Sequence, residues 1–178
     1  MKVGLVRHFS VVDITKALWM TSSEFNSWVE YYDQCDIKSD EFIEKIYWDL
    51  CYSSDQPRSV KTAELIFKDK IITTNLLREI HIKAILQTKF KLHRSFWLIL
   101  GRVGWLLNHS TQESKQDTIL RAKRVIDEIE LNDNSNILVV THGAFMTVLS
   151  KELKRRGYIG DNFLRPLNGK VYLFERDF

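Results

Sequence analysis

The chain has 178 residues, a length typical of a single domain with a sizeable core of its own. Its seven glycines and two prolines together make up about 5% of the residues, against about 12% in ordinary proteins, which excludes collagen-like and low-complexity chains. The 26 basic and 23 acidic side chains leave a formal net charge of +3, which is too small to indicate a nucleic-acid partner but favours anionic small molecules.

Short apolar runs that are rich in branched or aromatic side chains predict strands. The run at 137–140 predicts the most clearly buried one. In chain order the predicted strands are 3–6, 46–52, 71–74, 137–140 and 171–174.

Helical spacing of apolar residues predicts helices between these strands. Thr21 and Glu24 form a capping box, Pro57 stands where a first helical turn tolerates proline, and Gly157 stands where a helix ends. In chain order the predicted helices are 21–32, 57–66, 96–107, 117–129 and 144–156.

Strands alternate with helices, and neither a linker nor a change of composition divides the chain. This pattern predicts one α/β domain over residues 1–178, a three-layer α/β/α sandwich with a mostly parallel central sheet. Residues 80–112 are predicted to form a cap or insert on that domain. Within them, 96–107 is apolar nearly all round, which favours a buried or cap-forming helix. A lid with an apolar wall, a dimer contact and a membrane-surface helix remain alternatives.

Nothing in the sequence indicates export or a membrane span. Residues 1–6 contain one basic residue and no long apolar stretch, so we expect no signal peptide. The most apolar run has only twelve residues and is interrupted by Arg102, which is too short to cross a bilayer. Cys35 and Cys51 match neither a disulfide framework nor a CxxC metal motif, so we expect a reduced, cytoplasmic compartment.

Charged and titratable residues follow several of the predicted strands. Arg7 and His8 follow the first, Arg58 begins the helix after the second, Glu79 comes after the third, and His142 follows 137–140. In a parallel sheet the carboxyl ends of the strands meet at one edge, where ligands bind. Guanidinium groups hold phosphate oxygens, a neutral imidazole attacks phosphorus, and a carboxylic acid protonates a leaving oxygen. Phosphoryl chemistry is therefore predicted at this edge.

These residues also lie in motifs that resemble those of the histidine phosphatase superfamily, the group that contains cofactor-dependent phosphoglycerate mutase. The similar segments occur in the family's order and cover almost the whole chain. They are Leu5–His8, Ser53–Ala63, Leu76–Glu79, Glu113–Ser114 with Arg121, and Val139–Gly143.

The resemblance implies a metal-independent phosphomonoesterase that needs no cofactor. In this comparison His8 is the nucleophile that forms a phosphohistidine, while Arg7, Arg58 and His142 bind the phosphoryl group. Glu79 is the general acid for the leaving group and then the base for the attacking water. The implied partner is a small-molecule phosphoester, and we expect no nucleic acid and no membrane span. If the apolar run at 96–107 is a lid, its apolar wall would select a bulky or apolar phosphoester.

The chain departs from the family pattern beside the nucleophile. Phe9 replaces the motif glycine, and Val11 and Ile14 stand where many mutases place polar residues that contact phosphate. Ser10 or Asp13 could replace these contacts. The lost contacts, together with a chain that is short for a mutase, favour a phosphatase over a mutase. The candidate pocket residues beside the histidines are Phe9, Ser10 and Gly143.

Three alternatives remain open on the sequence. The first is a phosphoglycerate-type mutase, and the second is a non-catalytic phosphate-binding or regulatory protein. The third is a metal site made by His8, His142, Glu79 and His81, for which no ligand spacing gives support. The natural substrate and the oligomeric state are not predicted.

Overall fold

The computed structural model describes residues 1–38, 46–132 and 135–176. In these residues the strands are β1 (Lys2–Arg7), β2 (Trp19–Met20), β3 (Leu50–Ser54), β4 (Ile71–Thr74), β5 (Leu92–His93), β6 (Asn136–Thr141), β7 (Ile159–Gly160) and β8 (Val171–Glu175). The α-helices are α1 (Ser22–Gln34), α2 (Pro57–Ile66), α3 (Arg94–Leu106), α4 (Lys115–Glu130) and α5 (Gly143–Arg155), and a 3-10 turn spans Asn75–Leu77.

The main sheet has six strands in the order β4-β3-β6-β1-β8-β7. The first four of these run parallel, whereas β8 is antiparallel to β1 and β7 is antiparallel to β8. The predicted α/β fold with a mostly parallel central sheet is therefore confirmed.

Side chains of the central strands alternate between two cores, as the period of a strand requires. On β6, Ile137 and Val139 pack in the cluster that holds residues of α4 and α5. Leu138 and Val140 point to the other face, in the cluster that includes Ala63 of α2. Helices thus cover both faces of the sheet, and the carboxyl edge of its parallel strands is left for a site.

The predicted strand at 46–52 begins later than expected, because β3 pairs with β6 only from Leu50 onwards. The aromatic content of its first residues has another cause. Trp48 is buried in the cluster that contains Val6, and its indole ring lies where a side chain on Gly4 would be. Gly4 is a glycine because the ring packs directly on the backbone of β1.

A smaller layer stands beside the main sheet. β2 and β5 pair in an antiparallel two-stranded sheet, with Trp19 opposite His93. α1 and α3 pack with them around a third cluster, in which Phe25 and Trp97 stack at 5.7 Å between ring centroids. The segment 80–112 therefore shares its core with β2 and α1, two elements outside the boundaries predicted for the insert.

Several local predictions agree with the structure. Thr21 caps α1 with the full capping box, in which its hydroxyl accepts from the Glu24 amide and its own amide donates to the Glu24 carboxylate. Pro57 begins α2, and Gly157 adopts a φ of 90° just after α5. No helix in the described ranges is long and apolar enough to span a membrane.

Candidate active site

The five residues that the sequence places at strand ends come together at the carboxyl edge of the sheet. β1 and β6 pair in parallel with Arg7 opposite Thr141, so His8 and His142 leave the sheet side by side. The His8 amide donates to the Thr141 carbonyl at 3.0 Å, and the two imidazole rings lie 5.1 Å apart between centroids. The parallel register alone therefore brings together two histidines that are 134 positions apart in the chain.

Arg58 is the central contact between these rings. It is buried in the first turn of α2, and its Nε lies 3.2 Å from both His8 Nε2 and His142 Nδ1. Its Nη1 pairs with the carboxylate of Asp33 at 2.8 Å, and its Nη2 donates to the side-chain oxygen of Gln56 at 3.1 Å. Contacts on three nitrogens hold the guanidinium in one orientation and compensate its buried charge.

His8 is held as a neutral imidazole whose unprotonated nitrogen accepts a hydrogen bond from Arg58. Its Nδ1 donates to the Phe9 carbonyl at 2.7 Å, which leaves Nε2 unprotonated on the side of Arg58. Burial is the main cause that lowers the pKa of His8 to about 3, and the positive charge of Arg58 adds to it. A neutral imidazole of this kind is the form that attacks an electrophile.

His142 is the N-cap of α5 and is fully buried. Its Nδ1 accepts from Arg58, so Nε2 carries the proton and donates to the hydroxyls of Ser54 at 2.9 Å and Ser59 at 3.2 Å. Burial, followed by the charge of Arg58, lowers the pKa of His142 well below its usual value. Both imidazoles are consequently neutral near pH 7.

Arg7 has a buried donor without a partner. Its Nη1 donates to the Pro166 carbonyl at 3.2 Å, but its buried Nε has no hydrogen-bond partner among the described residues. The α carbon of Gly143 comes so close that a Cβ there would lie 3.2 Å from this Nε. Gly143 therefore lets the start of α5 pack against Arg7, beside a guanidinium donor that is available to an anion.

Glu79 lies against the first turn of the same helix. Its Oε1 accepts from the amides of Ile80 at 2.9 Å and Phe145 at 3.0 Å, and its Oε2 accepts from the amide of Ala144 at 3.2 Å. Nη2 of Arg102, from α3, lies 3.5 Å from Oε2. The free amides of a helix N-terminus hold the carboxyl group in place, and the arginine adds a contact from the smaller layer.

A cavity of about 1860 Å³ contains this cluster. Four of the five sequence-predicted residues line it, and so do residues of α1 and α3. The fifth, His142, is fully buried and is not among the lining residues. The arrangement can bind a phosphoryl group between two guanidinium groups, present a neutral imidazole to phosphorus and exchange a proton with a leaving oxygen. The four lining residues are Arg7, His8, Arg58 and Glu79.

Of the three candidate pocket residues, Gly143 lines the cavity, whereas Phe9 and Ser10 are not among the lining residues. Phe9 is only 1% exposed, and its amide donates to the Thr62 hydroxyl at 2.9 Å. Its ring packs on Gly169, where φ is 69° and a Cβ would lie 2.7 Å from the Phe9 ring. The bulk that replaces the motif glycine is thus taken up by a second glycine far along the chain.

His81, the fourth member of the alternative metal set, lies exposed on the cavity wall. In the part of the chain that the structure describes, no group of three or more histidine, cysteine, aspartate or glutamate side chains could hold a metal ion. Cys35 and Cys51 are buried and unpaired with each other.

Sequence reasoning missed Arg102, although α3 contains a signal for it. Gly101 and Gly104 flank this residue in a helix that is otherwise mostly apolar. A Cβ on Gly101 would lie 3.2 Å from a side-chain carbon of the segment 82–85, and one on Gly104 would lie 2.8 Å from another carbon there. The two glycines therefore allow a close approach that brings Arg102 to Glu79.

The sequence also did not single out the groups that orient the predicted residues. Asp33 comes from α1, and Ser54 and Ser59 lie inside a recognised motif without an assigned role. Asn168 donates to the His8 carbonyl at 2.6 Å from the segment before β8. Contacts of this kind join distant parts of the chain, so only the serines carried a local signal.

Comparison with known proteins assigns the chain to a family. The family model of the histidine phosphatase superfamily, branch 1, matches residues 38–175. The chain belongs to this superfamily, as its motifs predicted. The match begins after Arg7 and His8, so the geometry above is separate support for that end of the site. No curated protein matches the chain in sequence.

Solved structures show the same fold at low identity. The alpha-ribazole phosphatase from Shigella flexneri superposes with a TM-score of 0.60 and 16% identity, covering 99% of this chain and 91% of that chain. Bacillus stearothermophilus YhfR superposes with a TM-score of 0.62 and 19% identity, covering 99% of this chain and 91% of that chain. A phosphoglycerate mutase from Bacillus anthracis superposes with a TM-score of 0.54 and 19% identity, covering 87% of this chain and 80% of that chain.

The neutral state of the buried histidines predicts how stability depends on pH. When unfolded, a histidine binds a proton below about pH 6.5, whereas His8 in the fold does not, so stability falls as pH decreases. Between pH 7 and pH 5, His8 should lower the free energy of unfolding by about 2 kcal/mol. Urea unfolding at both pH values should therefore show a smaller loss for His8→Asn than for the wild type. Equal losses would mean that His8 is protonated in the fold.

Proposed function

We propose that this protein is a metal-independent phosphomonoesterase that works through a phosphohistidine on His8. The observation that carries the proposal is the neutral His8 ring, which lines the cavity and whose unprotonated Nε2 lies beside Arg58, next to the His142 ring. The Phe9 carbonyl holds the ring so that Nε2, and not Nδ1, is the nucleophile.

In the first step Nε2 of His8 attacks phosphorus, forming a P–N bond as the ester P–O bond breaks. Glu79, in its acid form, gives a proton to the departing alkoxide. Arg7 and Arg58 neutralise the phosphoryl oxygens, and His142 orients Arg58 through the hydrogen bond that its Nδ1 accepts. The unpartnered Nε of Arg7 supports this role, because a bound phosphoryl oxygen would supply the missing acceptor.

In the second step a water molecule attacks the phosphohistidine. Glu79, now a carboxylate, takes a proton from this water as the new P–O bond forms. The P–N bond breaks, phosphate leaves, and His8 returns to its neutral state. The contact of Glu79 with the start of α5 keeps the carboxyl group within reach of both steps.

Residues next to the nucleophile support a phosphatase over a mutase. Val11 lines the cavity but offers no hydrogen-bond donor, and Asp13 is occupied by Arg94 at 2.7 Å and by the Thr15 amide. Asp13 therefore does not replace the polar phosphate contacts whose loss the sequence indicates, and Ser10 is not among the residues that line the cavity. A mutase must retain a phosphorylated intermediate, so weak contacts favour release of the product.

The choice between the two activities is tested with 2- and 3-phosphoglycerate and a panel of phosphoesters. A phosphatase releases inorganic phosphate and does not interconvert the two phosphoglycerates. Interconversion without phosphate release would reverse the proposal in favour of a mutase. If no phosphoester is turned over, a phosphate-binding role would replace both.

Changing Glu79 to glutamine should affect substrates unequally. An alkoxide leaving group needs a proton, whereas p-nitrophenolate leaves readily without one. We expect kcat/KM for an alkyl phosphate to fall about 100- to 10,000-fold, and that for p-nitrophenyl phosphate to fall much less. Steady-state phosphate release on both substrates is the measurement.

The matched control for this experiment is Asp55→Asn. Asp55 also lines the cavity, but its carboxylate pairs with Arg78 at 2.6 Å and no step of the mechanism uses it. This variant should change both substrates by the same small factor. Equal large losses on alkyl and aryl phosphates in Glu79→Gln would contradict the general-acid role.

A further inference from the structure

One face of α3 is apolar and exposed to the cavity that contains His8. Ile99, Val103 and Leu106 line this cavity and are 59%, 42% and 54% exposed. Their spacing of four and three residues places them on one side of the helix. Trp97, on another side, is fully buried in the core of the smaller layer. The composition of this helix favoured burial on all sides, but the structure leaves this one face exposed.

A second part of the chain adds to this apolar lining. Leu164 also lines the cavity and is 99% exposed. It lies two residues before Pro166, whose carbonyl accepts from Arg7. Apolar surface thus comes from α3 and also from the segment that contacts the proposed phosphoryl-binding arginine.

Much of the positive charge on the cavity wall is already compensated by acidic partners. A guanidinium that is paired with a carboxylate contributes less to binding a second anionic group of a substrate. These pairs are Arg94 with Asp13 at 2.7 Å, Arg78 with Asp55 at 2.6 Å and Arg121 with Glu113 at 2.8 Å.

The size of the cavity also indicates a ligand larger than a phosphate ion. Its volume is about 1860 Å³, whereas pockets for small organic ligands are typically about 300–1,000 Å³. A phosphoryl group beside Arg58 would leave most of this space, including the apolar face of α3, to the rest of the substrate.

We propose that the substrate is a phosphate monoester of a lipophilic alcohol, whose apolar chain or ring lies along Ile99, Val103 and Leu106. This inference rests on the proposed phosphatase function. The phosphoryl group binds at Arg7 and Arg58 beside His8, and transfer of the apolar part from water to α3 supplies selectivity.

The test is a series of n-alkyl phosphates from butyl to octyl, kept below their micelle-forming concentrations. The leaving alkoxides are nearly equal in basicity, so differences in kcat/KM report binding of the chain and not leaving-group chemistry. Complete burial of a methylene raises kcat/KM about fourfold. Because the cavity is open, we expect a total rise of about tenfold or more from butyl to octyl phosphate.

Two adjacent leucines provide a matched pair of variants. Leu106→Asn should flatten the dependence on chain length, because Leu106 lines the cavity. Leu107→Asn should preserve it, because Leu107 is 76% exposed but does not line the cavity. Competitive inhibition by inorganic phosphate should be equal in the two variants, which checks that the phosphoryl end of the site is intact.

Each outcome bears on a different claim. If the wild type hydrolyses every alkyl phosphate with no dependence on chain length, or if both leucine variants behave alike, the apolar subsite is wrong and the phosphatase proposal stands. A clear preference for 3-phosphoglycerate over octyl phosphate would also overturn the subsite and indicate that a second anionic group of the substrate binds. The exposed Arg124 and Arg165 on the cavity wall are the candidates for that contact. Failure to hydrolyse even p-nitrophenyl phosphate, with no phosphohistidine formed, would overturn both proposals.

Discussion

Replacing His8 by alanine is expected to lower kcat/KM for phosphate release by about 10,000-fold or more. The imidazole forms the covalent bond to phosphorus, and neither arginine nor a neighbouring serine can take over a P–N intermediate. His8 is buried, so the variant must first be shown to fold by circular dichroism and by its melting temperature. Phosphate release from p-nitrophenyl phosphate, the least demanding substrate, gives the upper limit of residual activity.

The control for this variant is His81→Ala. His81 lines the same cavity but is exposed, and no step of the mechanism uses it. Its replacement should change kcat/KM no more than a few-fold, and prolonged treatment with a chelator should leave the wild type active. A large loss in His81→Ala together with inactivation by the chelator would favour the metal site made by His8, His142, Glu79 and His81.

Loss of Arg58 should also produce a large effect. Arg58→Ala removes the donor between the two imidazoles and leaves the Asp33 carboxylate without its cation. It also removes a positive charge that lowers the pKa of His8. We expect kcat/KM to fall about 1,000-fold, since donors that stabilise developing charge typically contribute factors of about 100 to 1,000 each.

Lysine should not restore this activity. One ammonium group cannot reproduce contacts made by three guanidinium nitrogens in fixed directions, so Arg58→Lys should remain within about tenfold of Arg58→Ala. Arg78→Ala is the matched control, because Arg78 lines the cavity but is exposed and paired with Asp55. This variant should retain activity within a few-fold. Recovery of most of the activity in Arg58→Lys would mean that only charge, and not geometry, is required.

Much of the fold was predictable because its main elements carry local patterns. The strand at 137–140, the strand at 71–74 and the capping box at Thr21 lie where the sequence predicts them. β2, β5 and β7 have two residues each, which is too short for a periodic pattern. The shift of β3 arises because the aromatic run before it serves packing across the sheet and not strand pairing.

The members of the candidate site were accessible to sequence analysis for a simple geometric reason. Residues that follow parallel strands must lie at one edge, so His8 and His142 become neighbours whatever lies between them. The hydrogen bonds that set the His8 tautomer and orient Arg58 were not accessible, since partners such as Asp33 and Asn168 come from segments without a motif.

The scarce glycines gain a physical meaning in the structure. The sequence makes Phe9, which stands in place of a motif glycine, a candidate pocket residue, whereas the structure places its ring in the core against Gly169. Gly143 allows α5 to approach Arg7, and Gly101 allows α3 to approach the segment after Glu79. Such close approaches depend on residues far apart in the chain, so a single sequence reveals only that the glycines are few.

The central claim is that the phosphoryl group is carried by Nε2 of His8. Wild-type protein mixed with a phosphoester labelled at phosphorus should, after rapid quenching in alkali, retain label that is stable to base and released by acid. Peptide mapping should place the label on His8, and the His8→Ala variant should retain none. Turnover by the wild type without any trapped label, or equal label on His8→Ala, would contradict the account.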